Sequence, residues 1–488
     1  MAKLKNIVKQ LSEKDYKQIY DSLLESNAEK GAYLLKALRE RQLSDSKVMA
    51  ELEASTNAYY TMRSRLNARI EEHLVQQMES PRTDILRKVA NLNEVLFTKK
   101  RVICLATLRK LEKELIDYDL SSELTVIYKS LKKFHVNSPD YFLYSQLYNR
   151  HVAYMLAVDK AEDLLMGYFK KYGIFYFTND AIERAGLVHI LNEMENTSKL
   201  YQSHRLYVFQ SCMLIFHRLF VEPEDDFRGK GGESIDDIFT QVQKIFDTYH
   251  LDPLYYHLNL LFEFLKAEYY NHYGLFREVE KNFEEVNDAV ATLIVNYPTY
   301  TFSSHFLITK LNRHFRLGTE KDMAAENESL FSDIEPDLQD VPHHTVYTTY
   351  KALGLYYAQR FSDSVKMLTG MLADVNLKKY PLVLLELKGI LTLQYYLLKD
   401  FELFNQQYSS VQRQVRAQGE ENCQNITQFL KILMTAKTEV KTNKAKKITS
   451  VVKIFKGEKV SYFAPTHLIK MDNKFIEDLS EIVVPPIR

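Results

Sequence analysis

The chain has 488 residues, with 64 Lys+Arg against 64 Asp+Glu, so its zero formal charge argues against a uniformly basic or acidic protein. Only 14 Gly and 11 Pro occur. Phosphate loops, hairpin turns and crossover connections consume such residues, so an all-α fold is favoured over a doubly wound α/β enzyme or a β-sandwich.

The start, Met1 to Lys9, lacks the apolar run of a secretory signal. A helix is expected from about Glu29 to Gln42, closed by the polar stop Leu43-Ser44-Asp45. A short helix, Ser46 to Glu53, turns Val48, Met49 and Leu52 inward, and Ser55 is placed to cap a third helix. That third helix runs to about Met78. It buries Tyr59, Met62, Leu66 and Ile70 and presents Asn57, Tyr60, Arg63, Ser64, Arg65, Asn67 and Arg69 outward.

Three short helices with a basic third one resemble a helix-turn-helix domain of the type found in transcription regulators. The resemblance implies that Thr56, Asn57, Tyr60, Thr61, Arg63 and Ser64 face the major groove and that Arg65, Asn67 and Arg69 reach phosphates. Met49 stands where such domains usually carry Ala, and Glu53 where they carry Gly. A helical oligomerisation or docking head is the other reading of residues 1–80.

Residues 81–250 read as a helical region opening at Ser80-Pro81, with later helices near 140–171, 179–196, 198–221 and 234–249. Gly229-Lys230-Gly231-Gly232 has the wrong order for a phosphate loop, no strand before it and the acidic run Glu224-Asp225-Asp226 beside it, so it reads as a connection.

Between 251 and 440 the apolar spacing is three and four throughout, as in Val279, Phe283, Val286, Val290 and Leu293. The joints recur. From Phe276 through Glu320 and Phe361 to Phe401 the spacings are 44, 41 and 40 residues. Three residues after each come Val279, Met323, Ser364 and Phe404; four further stand Phe283, Asn327, Leu368 and Tyr408; three beyond those stand Val286, Leu330, Met371 and Val411. With Ala267, Tyr270 and Gly274 ahead of the first joint, the region resembles degenerate tetratricopeptide repeats. The resemblance implies stacked antiparallel helical hairpins that bind a protein or peptide. The period exceeds the usual 34 residues and Leu311 fills a small-residue position, so an irregular helical bundle is the other reading. The pairs Tyr269-Tyr270, Tyr356-Tyr357 and Tyr395-Tyr396 each put one ring inward and one on the flank. Packing is the plain role for them, and a Tyr-lined peptide groove the sharper one.

The apolar run Pro381 to Leu398 carries Glu386 and Lys388 at its centre and reads as a buried helix rather than a membrane span. The basic extension 441–488 holds two β-prone runs, Ile448 to Phe455 and Lys459 to Phe463, around Gly457; a small β-hairpin is expected there.

The zero charge is a cancellation. Residues 1–110 hold 21 Lys+Arg and 14 Asp+Glu, residues 222–345 hold 10 and 24, and residues 437–474 hold 10 and 3. Such polarity fits nucleic-acid contact at the basic parts, self-docking or basic partners at the acidic part, or undirected drift of solvated faces. Cys104, Cys212 and Cys423 lie far apart, which points to a reducing, cytoplasmic setting without a disulfide framework or zinc site. His343-His344 and Ser303-Ser304-His305 lack an acidic neighbour at metal-ligand spacing. No nucleophile elbow, zinc-protease motif or dinucleotide fingerprint appears, and neither a cofactor nor a catalytic residue is expected. The sequence therefore points to a non-enzymatic interaction scaffold, with a DNA-binding regulator as the alternative and a homo-oligomer also open.

Overall fold

The computed structural model describes residues 4, 8, 11, 13–26, 28–39, 45–52, 54–77, 81–201, 203–222, 233–249, 253–296, 300–331, 334, 337–439, 441–458 and 460–482. They are helical with no strand among the described residues, so the chain is all-α. It divides into two compact units, Met1–Tyr148 and Asn149–Arg488.

The first unit opens with α1 (Glu13–Glu25), α2 (Glu29–Arg39), α3 (Asp45–Glu51) and α4 (Thr56–Gln77). Ser55 Oγ accepts from Ala58 N at 3.4 Å, the cap anticipated for the third helix of the head. Val48, Tyr59, Leu66 and Ile70 are buried with Leu34, Leu35 and Leu38 in one apolar cluster. Helices α5 (Pro81–Ala90), α6 (Leu92–Thr98), α7 (Arg101–Asp117) and α8 (Ser121–Phe134) follow. They share a separate cluster that runs from Ile85 to Tyr144.

Next comes α9, Asp140–Thr178, which belongs to the second unit from Asn149 onward. After it stand α10 (Ala181–Tyr201), α11 (His204–Phe220), α12 (Ile235–Thr248), α13 (Pro253–His272), α14 (Phe276–Asn296), α15 (Ser304–Leu317) and α16 (Met323–Leu330). Then follow α17 (Val341–Tyr357), α18 (Phe361–Asp374), α19 (Pro381–Leu397), α20 (Phe401–Gln418), α21 (Gln424–Thr438), α22 (Lys441–Gly457) and α23 (Asn473–Glu481). One apolar cluster continues from Ala157 to Leu479. The segment Gly229-Lys230-Gly231-Gly232 lies outside the described residues.

Helices of this unit pack in neighbouring pairs, α13 on α14, α17 on α18, α19 on α20 and α21 on α22. First helices also touch the next first helix, α13 to α15 and α15 to α17. This is compatible with a helical repeat. The joints share one backbone solution. Gly274, Gly318, Gln359 and Lys399 all have left-handed φ, and each stands two residues before one of the recurring joint positions. The following amide reaches back five residues in every case: Leu275 to Tyr270 O at 2.8 Å, Thr319 to His314 O at 3.1 Å, Arg360 to Leu355 O at 2.9 Å and Asp400 to Tyr395 O at 3.0 Å. Such a bond satisfies a carbonyl that the ending helix leaves open and reverses the chain in two residues. The columns after the joints face inward: Val279, Met323, Ser364, Phe404, Phe283, Asn327, Leu368, Val286, Met371 and Val411 are buried, and Tyr408 and Leu330 are half-buried.

The expected carboxy-terminal β-hairpin is not supported, because no strand occurs among the described residues. Residues 441–457 are helical, and 460–472 form an irregular stretch with a single 3₁₀ turn, Pro465–Leu468. The reason is tertiary. Ile448, Val452 and Phe455 are spaced four and three, and as a helix they bury together in the main core. Burial of that stripe outweighs the β preference of its branched residues, whose measured span is only about 1 kcal/mol.

Candidate peptide-binding face

Three first helices and the end of α9 hold residues 460–472 as one crossing strand of chain. The centre is Glu386 in α19, fully buried. Its carboxylate accepts from Asn425 Nδ2 of α21 at 2.7 Å, from the Tyr462 hydroxyl at 3.0 Å, from Thr466 N at 3.4 Å and from the Thr466 hydroxyl. Asn425 turns its other functions the same way: Nδ2 also reaches Thr466 Oγ1 at 3.0 Å, and Oδ1 meets His467 Nε2 at 2.6 Å. Burial pushes the Glu386 carboxyl up, and the bonds from Thr466, Asn425 and Tyr462 oppose that shift. One turn along α19, a Cβ at Gly389 would lie 2.5 Å from Ile426 Cδ1 and 3.5 Å from Thr466 Cγ2. The missing side chain lets α21 and the threonine approach together.

Backbone groups of the segment are read at both ends. Phe463 N donates to Tyr176 O at 2.8 Å, and the Phe463 ring stacks on Phe177 with centroids 5.4 Å apart. The Tyr357 hydroxyl donates to Leu468 O at 2.7 Å and accepts from Lys470 N at 2.8 Å. Lys470 Nζ lies 2.6 Å from Glu320 Oε1, one ion pair between the basic tail and the acidic middle of the chain. Phe463, Thr466, Ile469 and Met471 are buried. Beside them a cleft of about 70 Å³ is lined by Tyr356, Tyr357, Glu320, Asp472 and Phe475.

The six tyrosines separate into two groups. Tyr357 engages the segment 460–472, and Tyr396 engages the last helices; Tyr396 is fully buried and its hydroxyl bonds Ala436 O at 2.8 Å and Leu479 O at 3.3 Å. Lys444 Nζ adds a contact to the same hydroxyl at 3.2 Å. Tyr269, half-buried, donates to Asp236 Oδ2 at 3.1 Å, while Tyr270, Tyr356 and Tyr395 are half-buried on the flanks. As a surface for an outside partner Tyr396 is closed, because the core takes its ring and the chain itself takes its hydroxyl.

In the head, Ser64, Arg65 and Arg69 are exposed and Arg63 is half-buried, while the side chains of Asn57 and Tyr60 lie outside the described residues. Arg69 Nη2 donates to Ser22 Oγ of α1 at 2.9 Å, so that guanidinium braces the head.

Compared with known proteins, the chain matches no family model, no curated protein and no solved structure.

A second polar group lies inside the same unit. Tyr168 meets His217 Nδ1 at 2.9 Å, Tyr172 meets His305 Nε2 at 2.6 Å, and Ser304 meets His343 Nδ1 at 2.8 Å. The two clusters that stood out in the sequence, Ser303-Ser304-His305 and His343-His344, are thus joined by a hydrogen bond. Burial drives His305 down to about 3, so it is neutral. Glu268 accepts from Thr309 Oγ1 at 3.0 Å, and burial pushes its carboxyl up to about 7. Among the described residues no group of three His, Cys, Asp or Glu is placed to hold a metal ion.

Sequence reasoning missed the Glu386, Asn425 and Thr466 triad. The signal available was the lone carboxylate in an apolar helix, because a buried charge requires partners. Its partners stand 39 and 80 residues away.

Proposed function

We propose that this chain is a non-enzymatic interaction scaffold that takes a segment of a protein partner along the first helices of a degenerate tetratricopeptide-like array at 253–438. The supporting observation is that α17, α19 and α21 already hold one irregular stretch of chain, residues 460–472, through side chains aimed at both its backbone and its side chains. Division of labour follows from the chemistry. The Tyr357 hydroxyl binds a carbonyl and an amide, which almost any sequence supplies, whereas Glu386 and Asn425 select hydroxyls, those of Tyr462 and Thr466. Apolar contacts such as Phe463 on Phe177 provide area.

A photo-crosslinking residue at Tyr356, on the cleft wall, tests this reading in the native cell. Covalent adducts with a discrete second protein are expected from Tyr356 and not from exposed Ile182. Adducts within the chain alone would sink the scaffold reading.

One observation favours a second reading, a DNA-binding head. The buried set Val48, Tyr59, Leu66 and Ile70 leaves Ser64 and Arg65 on the outer face of α4. Duplex binding by the full chain should then weaken steeply with salt, and Arg63→Ala with Arg65→Ala should reduce the log–log slope by about 2. No duplex binding at low salt removes this reading.

A further inference from the structure

We propose that one end of the first unit, where the α6–α7 and α8–α9 joints meet, docks on the surface of an anionic lipid bilayer. This surface does not depend on the scaffold reading.

Two joints build it. The first carries Phe97 at the end of α6 and Val102 in the first turn of α7; the second carries Val136 and, in the first turn of α9, Phe142. Arg101 Nη2 donates to Phe134 O at 2.5 Å, so the start of α7 stands beside the end of α8 and the two joints form one tip. The helices below already have their core. Cys104, Leu108, Leu111 and Leu115 of α7 are buried, as are Leu124, Ile127, Tyr128 and Leu131 of α8, each set spaced as one helix stripe. The apolar residues of the tip fall outside those stripes. Phe97 is 94% exposed, Val102 79%, Phe142 73% and Val136 62%, and Ile103 and Leu143 are exposed beside them. Single exposed apolar side chains are ordinary, whereas a group gathered in two adjoining joints marks an interaction surface.

Charge narrows the occupant. Lys99, Lys100 and Arg101 fill the first joint and Lys132 and Lys133 lead into the second, with no acidic residue in 97–103 or 132–136. Among the described residues none of the five pairs with a carboxylate; Lys132 Nζ instead lies 5.3 Å from the Tyr141 ring centroid. Asp140, at the start of α9, sits 3.3 Å from His135 Nδ1. The tip therefore presents uncompensated positive charge around its apolar residues, the complement of a polyanion with an apolar interior.

The apolar part separates lipid from other polyanions. Aliphatic Val102, Ile103, Val136 and Leu143 offer neither a ring to stack on bases nor a hydrogen bond to read them. A protein partner needs a shaped recess for each anchor, and a Phe97 ring that is 94% exposed has no surrounding groove to register one. Acyl chains accommodate any outline. At the headgroup boundary the two Phe rings enter the apolar edge while the lysines stay extended to anionic headgroups.

Flotation of the full chain with vesicles tests this. Vesicles of phosphatidylserine and phosphatidylcholine in equal parts should carry the protein, and phosphatidylcholine alone should carry about a hundredfold less. Phe97→Ser with Phe142→Ser should lower partition to the mixed vesicles by about tenfold or more. Lys99→Ala, Lys100→Ala and Lys133→Ala together should lower it by about a hundredfold, at about fivefold for each charge removed. The chain contains no Trp, so Phe97→Trp reports alone. Its emission should shift to the blue on mixed vesicles and be quenched by brominated acyl chains, while Trp at exposed Ile182, Ile182→Trp, should do neither. No flotation with mixed vesicles, or equal flotation by wild type and the double Phe variant, overturns the proposal. Retention on polyglutamate or duplex DNA without a blue shift on vesicles also overturns it and gives the tip to an acidic protein or to nucleic acid.

Discussion

The pairs at 253–330 and those at 341–438 use the same joint and differ in how they treat a buried carboxylate. Glu268 of α13 and Glu386 of α19 are both almost wholly buried. Glu268 has a single hydrogen bond, from Thr309, and no partner for Oε1 among the described residues. Around Glu386 stand Asn425, Tyr462 and Thr466. The difference lies in the carboxy-terminal segment, which supplies two of those three residues to the second half. A buried carboxylate is held here by what crosses the face of its helix and not by the helix itself.

The sharpest way to break this contrast is pH. The folded Glu268 carboxyl, at about 7, lies above its ordinary value of 4.5. Its contribution to stability is therefore fully present below pH 4.5 and lost as pH rises through 7. The loss should reach about 3 kcal/mol by pH 8. Glu268→Gln should remove that slope, so urea midpoints at pH 5 and pH 8 ought to converge in the variant and diverge in wild type. Tyr172 and Tyr176, whose phenols the same charge helps push up, stay protonated throughout that window. A wild type with no slope beyond that of the variant would refute the assignment.

Thr466→Val comes next. It keeps the shape and withdraws a donor from Glu386, for an expected loss of about 2 kcal/mol in chemical denaturation. Tyr357→Phe frees one carbonyl and one amide of the segment and should cost about 1 kcal/mol, with faster exchange confined to Leu468 to Lys470. A uniform rise in exchange across the unit would contradict a local role.

The smallest effect concerns the joints. Gly274 and Gly318 occupy the left-handed position at no steric cost, whereas Gln359 and Lys399 hold it with side chains, at φ 60° and 61°. Gln359→Gly and Lys399→Gly should each stabilise by about 0.5–1 kcal/mol, measured by thermal melts. Destabilisation in both would mean that contacts of the side chains outweigh backbone strain.

Much of this was legible before any coordinates. The three-four spacing marked the helices, and prolines marked starts at Pro81 and Pro381. The recurring columns around Val279, Leu368 and Val411 proved to be the buried ones. The run Ile448 to Phe455 misled, because branched residues favour strand locally while their four-three spacing suits a helix. Of the six tyrosines, nothing in the sequence separated Tyr357 and Tyr396 from the others.

What the sequence determined by itself is the all-α class, the place of most helices and the polarity of charge, since each depends on neighbours within a few turns. The tertiary structure alone decided that a basic tail crosses the first helices, that Glu386 finds Thr466 80 residues on, and that Lys470 finds Glu320. Local periodicity says which face is buried. It does not say which distant segment buries it, because that choice depends on matching donors, acceptors and shape across the fold.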